Sequence, residues 1–225
     1  MSSVFRTRAV VLRRTNYGEA DRVVQLLTPE GKRSVLARGV RREKSKLAGG
    51  IELFAVSDVV INKGKGDLGI LTSARLVTFY RHILEDYDTM QFAYEAIKQI
   101  ARASDMVDEP DWYETLVEVL AALDVKSIPR PLIMTWFYLR YAALLGRELS
   151  LVHDINGDKL VPEKSYAYDI AESGLRSAVN GELTGEHVKL LRLMSVKPLG
   201  VLVQIGGIED VLPECLMVAR QHAAI

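Results

Sequence analysis

Short apolar runs separated by turn residues make up the first 80 residues of the chain. Several runs alternate apolar with polar side chains or are rich in valine, which is typical of half-buried β-strands. The runs span residues 6–14, 22–28, 32–38, 51–62 and 68–77. The turn sequence Pro-Glu-Gly at residues 29–31 favours a hairpin between the second and third runs. Five short strands without helical periodicity predict a small barrel, and a barrel of this size is typical of an OB-fold.

From residue 81 the apolar side chains recur every three or four residues, which predicts amphipathic helices. On the first predicted helix, one face carries Tyr87, Met90, Tyr94, Ile97 and Ala101, and on the second it carries Tyr113, Leu116, Leu120 and Leu123. A third helix is predicted from residue 127 to Gly146, because glycine is common just after a helix C-terminus. A fourth begins at Thr184, a typical N-cap, and a last helix covers residues 209–221.

Residues 148–181 interrupt the helical pattern with a turn-like stretch at 154–158 and a strand-like stretch at 165–170. Together these patterns predict an α+β multidomain chain. An N-terminal OB-fold β-barrel domain over residues 1–80 precedes a C-terminal α-helical domain over residues 81–225, which carries the turn and strand insertion.

The charges are unevenly distributed, although the 29 Lys and Arg of the whole chain balance the 29 Asp and Glu. Residues 1–80 hold 15 basic and 7 acidic side chains, whereas residues 81–225 hold 14 and 22. A basic segment joined to an acidic one indicates two domains with different partners. A chance segregation of solvated charges is the alternative.

The basic side chains of the strand region are Arg6, Arg8, Arg13, Arg14, Arg22, Lys32, Arg33, Arg38, Arg41, Arg42, Lys44 and Lys46. They are densest at residues 38–46, where five basic residues accompany one acid and no strand or helix period is present. We interpret this run as a flexible loop that tracks a phosphate backbone, and a solvated loop without function is the alternative. Tyr17, in a polar turn, is the candidate for base stacking, whereas Phe54 alternates with Val56 and is predicted to be core.

The motifs of common enzyme classes are missing from the sequence, which contains no phosphate-binding P-loop, no G-x-S-x-G and no H-E-x-x-H. The four histidines, His82, His153, His187 and His222, are far apart in sequence. The single cysteine, Cys215, lies in an apolar stretch and is predicted to be a buried apolar side chain rather than a nucleophile. We therefore expect neither catalysis nor a cofactor or metal. An enzyme with an unrecognised carboxylate site in the acidic region is the remaining alternative.

No apolar run approaches the roughly 18 residues that a membrane-spanning helix needs. Charges are scattered through the apolar residues of the N-terminus, which is unlike a secretory signal peptide. One cysteine cannot form an internal disulfide. These features predict a cytoplasmic protein that binds no membrane.

Three motifs in the basic region resemble the N-terminus of the RecO family of bacterial recombination mediators. They are Y-G-E-x-D at residues 17–21, L-T-P-E-G-K at residues 27–32 and A-x-G-x-R-R-x-K-S-x-L at residues 37–47. The order and spacing of these motifs make the resemblance specific over about residues 4–60. Beyond residue 80 it is looser, with A-A-L-L-G at residues 142–146 and K-P-L at residues 197–199.

The resemblance implies an OB-fold followed by a helical domain, with no catalytic site. It also implies a nucleoid-associated protein of DNA damage repair and recombination that binds single- and double-stranded DNA and anneals complementary strands. Such a protein works with RecR, and with RecF in part of the pathway, to load RecA onto DNA coated by single-strand-binding protein. The DNA-binding role transfers to Arg13, Arg14, Arg22, Lys32, Arg33, Arg38, Arg41, Arg42, Lys44 and Lys46. Without the resemblance, a general OB-fold module that binds RNA or tRNA is the alternative.

The sequence departs from the family in the helical domain. Many members carry a four-cysteine zinc site after the A-L-L-G helix, but residues 148–181 contain no cysteine, so we expect a zinc-free turn and strand. The family's helical domain also implies a pocket for the acidic, apolar C-terminal tail of single-strand-binding protein. Trp136 and Arg140 lie four residues apart on the third predicted helix and are the candidates for that pocket.

Overall fold

The computed structural model of the chain describes residues 4–64 and 66–224. Lys65, which lies between the fourth and fifth predicted strands, is outside the described residues. The chain divides into two compact units, Met1–Asp124 and Val125–Ile225. Within the described residues, no helix is long and apolar enough to cross a membrane.

Unit one begins with five strands, each of which overlaps one of the five predicted runs. They are β1 (Val4–Tyr17), β2 (Asp21–Thr28), β3 (Gly31–Ala37), β4 (Ala55–Asn62) and β5 (Leu68–Phe79). The strands form a closed barrel in the order β1-β2-β3-β5-β4, in which β3 and β5 run parallel and the other pairs antiparallel. The fourth strand starts four residues later than predicted, since Phe54 adopts a positive φ of 57° that a strand does not accommodate.

The barrel core is built from side chains at alternating strand positions, as the period-2 pattern requires. Its buried members are Ala9, Val11, Val24, Leu26, Val35, Ala37, Val40, Ile51, Val59, Ile61, Leu71 and Ala74. Val40 and Ile51 come from the segment between β3 and β4, where a 3-10 helix (Ala48–Gly50) packs on β5. A Cβ on Gly50 would lie 2.4 Å from the backbone carbonyl carbon of Ala74, so only glycine permits this close approach.

Two helices complete unit one, α1 (Tyr87–Met106) and α2 (Asp111–Leu123). The predicted buried face of α2 is confirmed, because Tyr113, Leu116, Leu120 and Leu123 are all buried. The predicted face of α1 is only partly correct, because Ile97 is buried but Tyr87 and Tyr94 are 68% and 43% exposed. Besides Ile97, the helix buries Phe92, Ala93, Ala96, Ile100 and Ala103. The small alanine side chains of this second apolar face allow the helix axis to approach its neighbours closely.

Unit two contains four helices and a small hairpin among its described residues. They are α3 (Arg130–Leu144), β6 (Tyr166–Asp169), β7 (Gly174–Ser177), α4 (Gly185–Val196), a single turn α5 (Leu199–Leu202) and α6 (Leu212–Ala223). Helix α3 packs on α6 and α4. The predicted helix ends are confirmed at Gly146, which has a φ of 75°, and at Thr184, the N-cap of α4. The folded chain therefore has the α+β composition that the sequence predicts.

The division into compact units changes the interpretation of the charge. Strands give way to helices at Tyr80, as predicted, but α1 and α2 belong to unit one. Residues 81–124 hold 3 basic and 11 acidic side chains, whereas residues 125–225 hold 11 of each. The acidic excess therefore lies entirely on the α1–α2 region beside the basic strands. A domain boundary at residue 80 stays a prediction.

Candidate nucleic-acid interface

The turn that joins β1 to β2 is tied to the segment that follows β3. The Asp21 carboxylate accepts a hydrogen bond from the Gly39 N–H at 2.7 Å. The Arg41 N–H donates to the Ala20 carbonyl at 2.9 Å, and the Arg41 guanidinium donates to the Gly18 carbonyl at 3.3 Å. Two of the three sequence motifs thus meet in space. We name residues 13–22 and 38–46 together the hairpin–loop surface.

The basic segment is held in place, although the sequence predicts a flexible loop. Consecutive turns run through it, with the Arg42 N–H donating to the Gly39 carbonyl at 3.1 Å and the Ser45 N–H to the Arg42 carbonyl at 3.0 Å. The Val40 side chain is 3% exposed and belongs to the barrel core. A buried valine and a series of turn hydrogen bonds limit the conformations of the backbone between them. The segment therefore presents its charges from a defined position.

The cations of the hairpin–loop surface outnumber its acids. Its basic side chains are Arg13, Arg14, Arg22, Arg38, Arg41, Arg42, Lys44 and Lys46, and its acidic ones are Glu19, Asp21 and Glu43. All the basic residues except Arg14 and Arg22 are exposed. Eight cations against three acids on one surface create a positive potential that attracts polyanions.

The two half-buried arginines have partners of their own. The Arg14 guanidinium lies 2.9 Å from the Glu52 carboxylate and donates to the Ile51 carbonyl at 3.4 Å. Arg22 donates through Nε to the Asn16 side-chain oxygen at 3.1 Å. These contacts orient both guanidinium groups and reduce the number of N–H donors that a further ligand could use.

Lys32 and Arg33 lie apart from the hairpin–loop surface, at the opposite end of β3. The Lys32 ammonium contacts the Asp105 carboxylate at 2.7 Å and the Ala101 carbonyl at 2.9 Å, and its side chain is only 13% exposed. Its role is to fix β3 to α1, so we leave it out of the candidate interface. Arg33 is exposed, with its guanidinium carbon 5.5 Å from the centre of the Phe5 ring.

The aromatic candidates separate as the sequence predicts. Tyr17 is 60% exposed at the end of β1, where its ring is open to a base. Phe54 is 1% exposed and packs edge-on against Tyr94, with 4.8 Å between the ring centres. Tyr17 is therefore the single exposed aromatic within the hairpin–loop surface.

In unit two, Trp136 does not suit the peptide-binding role assigned to it. Its side chain is 5% exposed, and its indole N–H donates to the Lys197 carbonyl at 2.9 Å, so the ring is part of the core. Arg140 is half-buried. An apolar pocket of about 340 Å³ lies between residues 148–152 and α4. Arg192 lines this pocket and donates through Nε to the Leu151 carbonyl at 2.7 Å.

Residues 154–158 form a turn around a buried carboxylate. Asp154 Oδ1 accepts the Asn156 and Asp158 N–H groups at 2.9 and 3.0 Å. Nearby, the Tyr166 hydroxyl accepts from the Val161 N–H at 2.8 Å and donates to the Val161 carbonyl at 3.2 Å. Across the described residues, no group of three or more His, Cys, Asp or Glu side chains is arranged to hold a metal ion. The absence of zinc stays a prediction.

Cys215 has the environment of a core residue. Its side chain is fully buried, and burial, together with the charge of Glu214, raises the pKa of the thiol to about 12. A thiol with that pKa is protonated at neutral pH and is a poor nucleophile. The prediction that Cys215 acts as a small buried apolar side chain is confirmed.

Comparison with known proteins agrees with these features. A sequence-family model described as "Recombination protein O N terminal" matches residues 1–80. A DNA repair protein RecO from Roseiflexus sp. is 38% identical over 44% of this chain and 35% of its own length. One from Bifidobacterium longum is 34% identical over 64% of the chain and 62% of its own length.

A third relative, DNA repair protein RecO from Dehalococcoides mccartyi, is 25% identical over 97% of the chain and 88% of its own length. The two matches of higher identity span about one third and three fifths of the relatives' own lengths, so the activity and partners of whole RecO proteins are proposals for this chain. Within those limits, residues 1–80 match the family model of recombination protein O, and several proteins named DNA repair protein RecO are similar to much of the chain.

Proposed function

We propose that this protein is a recombination mediator that binds single- and double-stranded DNA through the hairpin–loop surface. It anneals complementary strands and helps to load RecA onto DNA coated by single-strand-binding protein, together with RecR and, in part of the pathway, RecF. One observation carries the proposal: the family motifs at residues 17–21 and 37–47 are joined by hydrogen bonds and hold a cluster of exposed cations.

The chemistry of the surface favours contact with the phosphate backbone. Lys and Arg side chains neutralise phosphates and release condensed counterions, and this contribution does not depend on base sequence. Tyr17 supplies one stacking platform, whereas binding by successive base stacking uses several. The expected binding is therefore strongly salt-dependent, tolerant of sequence and compatible with duplex as well as single strands.

We also propose that the barrel is an OB-fold. Its five strands close in the order β1-β2-β3-β5-β4, with a parallel contact only between β3 and β5. OB-folds use the loop between strands one and two as part of their oligonucleotide-binding face. The hairpin–loop surface includes that loop, which supports both the fold assignment and the location of the interface.

For the tail of single-strand-binding protein, the pocket beside α4 suits the chemistry better than Trp136. An acidic, apolar peptide end needs an apolar cleft and a cation. Leu149 and Leu151 supply apolar walls, and Arg192 supplies the cation. Titrating a labelled tail peptide by fluorescence anisotropy should show about tenfold weaker binding to Arg192→Ala. An equal loss of peptide affinity in Arg140→Ala would indicate that the site is on α3. Unchanged affinity in both variants would indicate that the site is elsewhere.

The annealing of complementary strands coated with single-strand-binding protein tests the proposed function directly. We expect annealing to accelerate when the protein is added, with no metal requirement and no cleavage of the strands. Tight binding to tRNA together with weak binding to DNA and no annealing would favour the RNA-binding alternative. Metal-dependent cleavage of labelled DNA would favour an enzyme.

A further inference from the structure

The strands β1, β4 and β5 present a second basic surface on the outside of the barrel. Strand pairing places Arg8 opposite Asp58 and Asp58 opposite Arg75, in one row across the three strands. The next row in the same orientation holds Arg6, Val60 and Ser73. These side chains point outward, because their neighbours Ala9, Val59 and Ala74 belong to the barrel core. We name this set the outer-strand surface.

The outer-strand surface has three arginines and one carboxylate. Arg8 and Arg75 are 64% and 81% exposed, and both contact Asp58, with N–O distances of 3.7 and 2.8 Å. Arg6 is exposed in the neighbouring row. Exposed ion pairs of this kind contribute little to stability, so the two guanidinium groups can exchange Asp58 for another anion at low cost. Guanidinium groups bind phosphate oxygens through paired N–H donors.

Buried side chains separate this surface from the hairpin–loop surface. Between Arg8 and Arg13 on β1, both Val10 and Leu12 are buried, although Val10 alternates with core residues and points outward. Helices of unit one pack on this part of the sheet, with α1 in contact with β1 and β3, and α2 with β2. The five residue-to-residue steps from Arg8 to Arg13 span about 17 Å in an extended strand. Two separate basic surfaces therefore occupy one barrel.

We propose that the outer-strand surface binds a second single strand of DNA while the first occupies the hairpin–loop surface. This inference rests on the proposed annealing function, which brings two mutually repelling polyanions together. Three exposed arginines along two rows match a phosphate backbone. Asp58 competes with phosphate for Arg8 and Arg75 and so keeps the second strand weakly bound and easy to release.

The test measures two kinds of binding on the full-length protein. Anisotropy of one labelled oligonucleotide reports the tighter site, and energy transfer between two non-complementary oligonucleotides with donor and acceptor dyes reports two-strand bridging. The triple variant Arg6→Ala, Arg8→Ala, Arg75→Ala should bind one oligonucleotide within twofold of wild type, while bridging falls tenfold or more. The matched variant Asp58→Asn keeps all three arginines and removes the competing carboxylate, so bridging should strengthen severalfold.

Each outcome separates the second surface from the proposed function. If the triple variant bound one oligonucleotide as tightly as wild type and its bridging were also unchanged, only the proposed role of the outer-strand surface would be overturned. Bridging would then come from two protomers or from other residues. Bridging weakened by Asp58→Asn would also count against it. Failure of the wild-type protein to bind any single oligonucleotide would overturn the proposed function itself. Thermal melting of both variants, whose replaced side chains lie outside the core, checks that they are folded.

Discussion

Two segments of the chain, one in each compact unit, use their polar side chains in opposite ways. Residues 38–46 are anchored by an apolar side chain, Val40, and leave their cations exposed to solvent. Residues 148–181 turn polar groups inward, where Asp154 and the Tyr166 hydroxyl bind backbone N–H groups of the same segment. Polar residues in the first segment are therefore available for a ligand, whereas these polar groups of the second hold its own fold together.

This difference explains how both segments can have a defined conformation although most of their residues lie outside helices and strands. Buried backbone and polar groups need hydrogen-bond partners, and the second segment supplies them from its own side chains. The first segment is held by turn hydrogen bonds, by hydrogen bonds to the turn between β1 and β2, and by one buried valine. Substitutions should consequently affect DNA binding in the first segment and stability in the second.

The largest expected effect is the loss of DNA binding when the cations of the first segment are removed. Replacing Arg41, Arg42, Lys44 and Lys46 together by alanine removes up to four phosphate contacts. Each contributes about 0.7 to the slope of log K against log salt on single strands, so affinity near 0.1 M salt should fall roughly 10²–10³-fold. The melting temperature should stay close to that of wild type, because these side chains are exposed. An unchanged salt slope would contradict the assignment.

Many of these structural features can be predicted from the sequence. The features that cannot be predicted depend on contacts between residues that are far apart in the chain. Alternation of apolar residues predicted all five strands, and the motifs located the basic cluster. No local pattern reveals that Lys32 binds Asp105, 73 residues away, or that Trp136 donates to the Lys197 carbonyl. On α1, two apolar faces compete, and packing selects the alanine-rich one. Asp21 and Gly39 each belong to a sequence motif, but only the folded structure shows that the two residues form a hydrogen bond.

The second largest effect should come from Asp154→Ala in the inward-facing segment. The substitution removes two charge-assisted hydrogen bonds within the turn, each worth about 1.5–3 kcal/mol before compensation by water. We expect urea melts to show a loss of about 2–3 kcal/mol. Asp158→Ala is the matched control, since its side chain is exposed and its backbone supplies the turn contacts. Single-strand affinity should be unchanged in both variants.

A chelator offers a second measurement on the same segment. Because hydrogen bonds hold the turn at Asp154, removing divalent metals should leave the melting curve of the wild-type protein unchanged. Stoichiometric zinc in elemental analysis, with unfolding on chelation, would show that a metal stabilises the segment. Hydrogen bonds from its own polar groups would then not be sufficient to hold it, in contrast to what we infer.

Val40→Ala tests whether the first segment is purely a ligand surface. The valine is 3% exposed in the barrel core, and removing two buried methylene equivalents costs about 1.5–2 kcal/mol. The segment should loosen, so DNA affinity should also fall, by a few fold. Val179, which is 97% exposed, provides the control substitution. If stability fell by the expected amount while DNA affinity stayed the same, the positions of the cations would not depend on Val40.

The smallest effect concerns the pH dependence of unit two, where His222 joins the inward-facing segment to α6. Its Nε2 lies 2.7 Å from the Arg147 carbonyl, which can only accept, so Nε2 carries the proton and Nδ1 accepts from the Tyr168 hydroxyl at 2.9 Å. Burial lowers the pKa of His222 below 6.5. The hydrogen bond to the Arg147 carbonyl opposes this shift, and the positive charge of Arg147 makes a smaller contribution that lowers the pKa further.

Below pH 6.5 the unfolded chain therefore binds a proton at His222 that the folded chain resists, and stability falls as the pH decreases towards the folded pKa. His222→Gln keeps a donor for the Arg147 carbonyl and an acceptor for the Tyr168 hydroxyl but does not titrate. Urea melts at pH 7.5 and 5.5 should show a larger loss of unfolding free energy in wild type than in this variant. Identical losses would mean that His222 does not carry the pH dependence and that the hydrogen bonds of this segment tolerate an imidazolium.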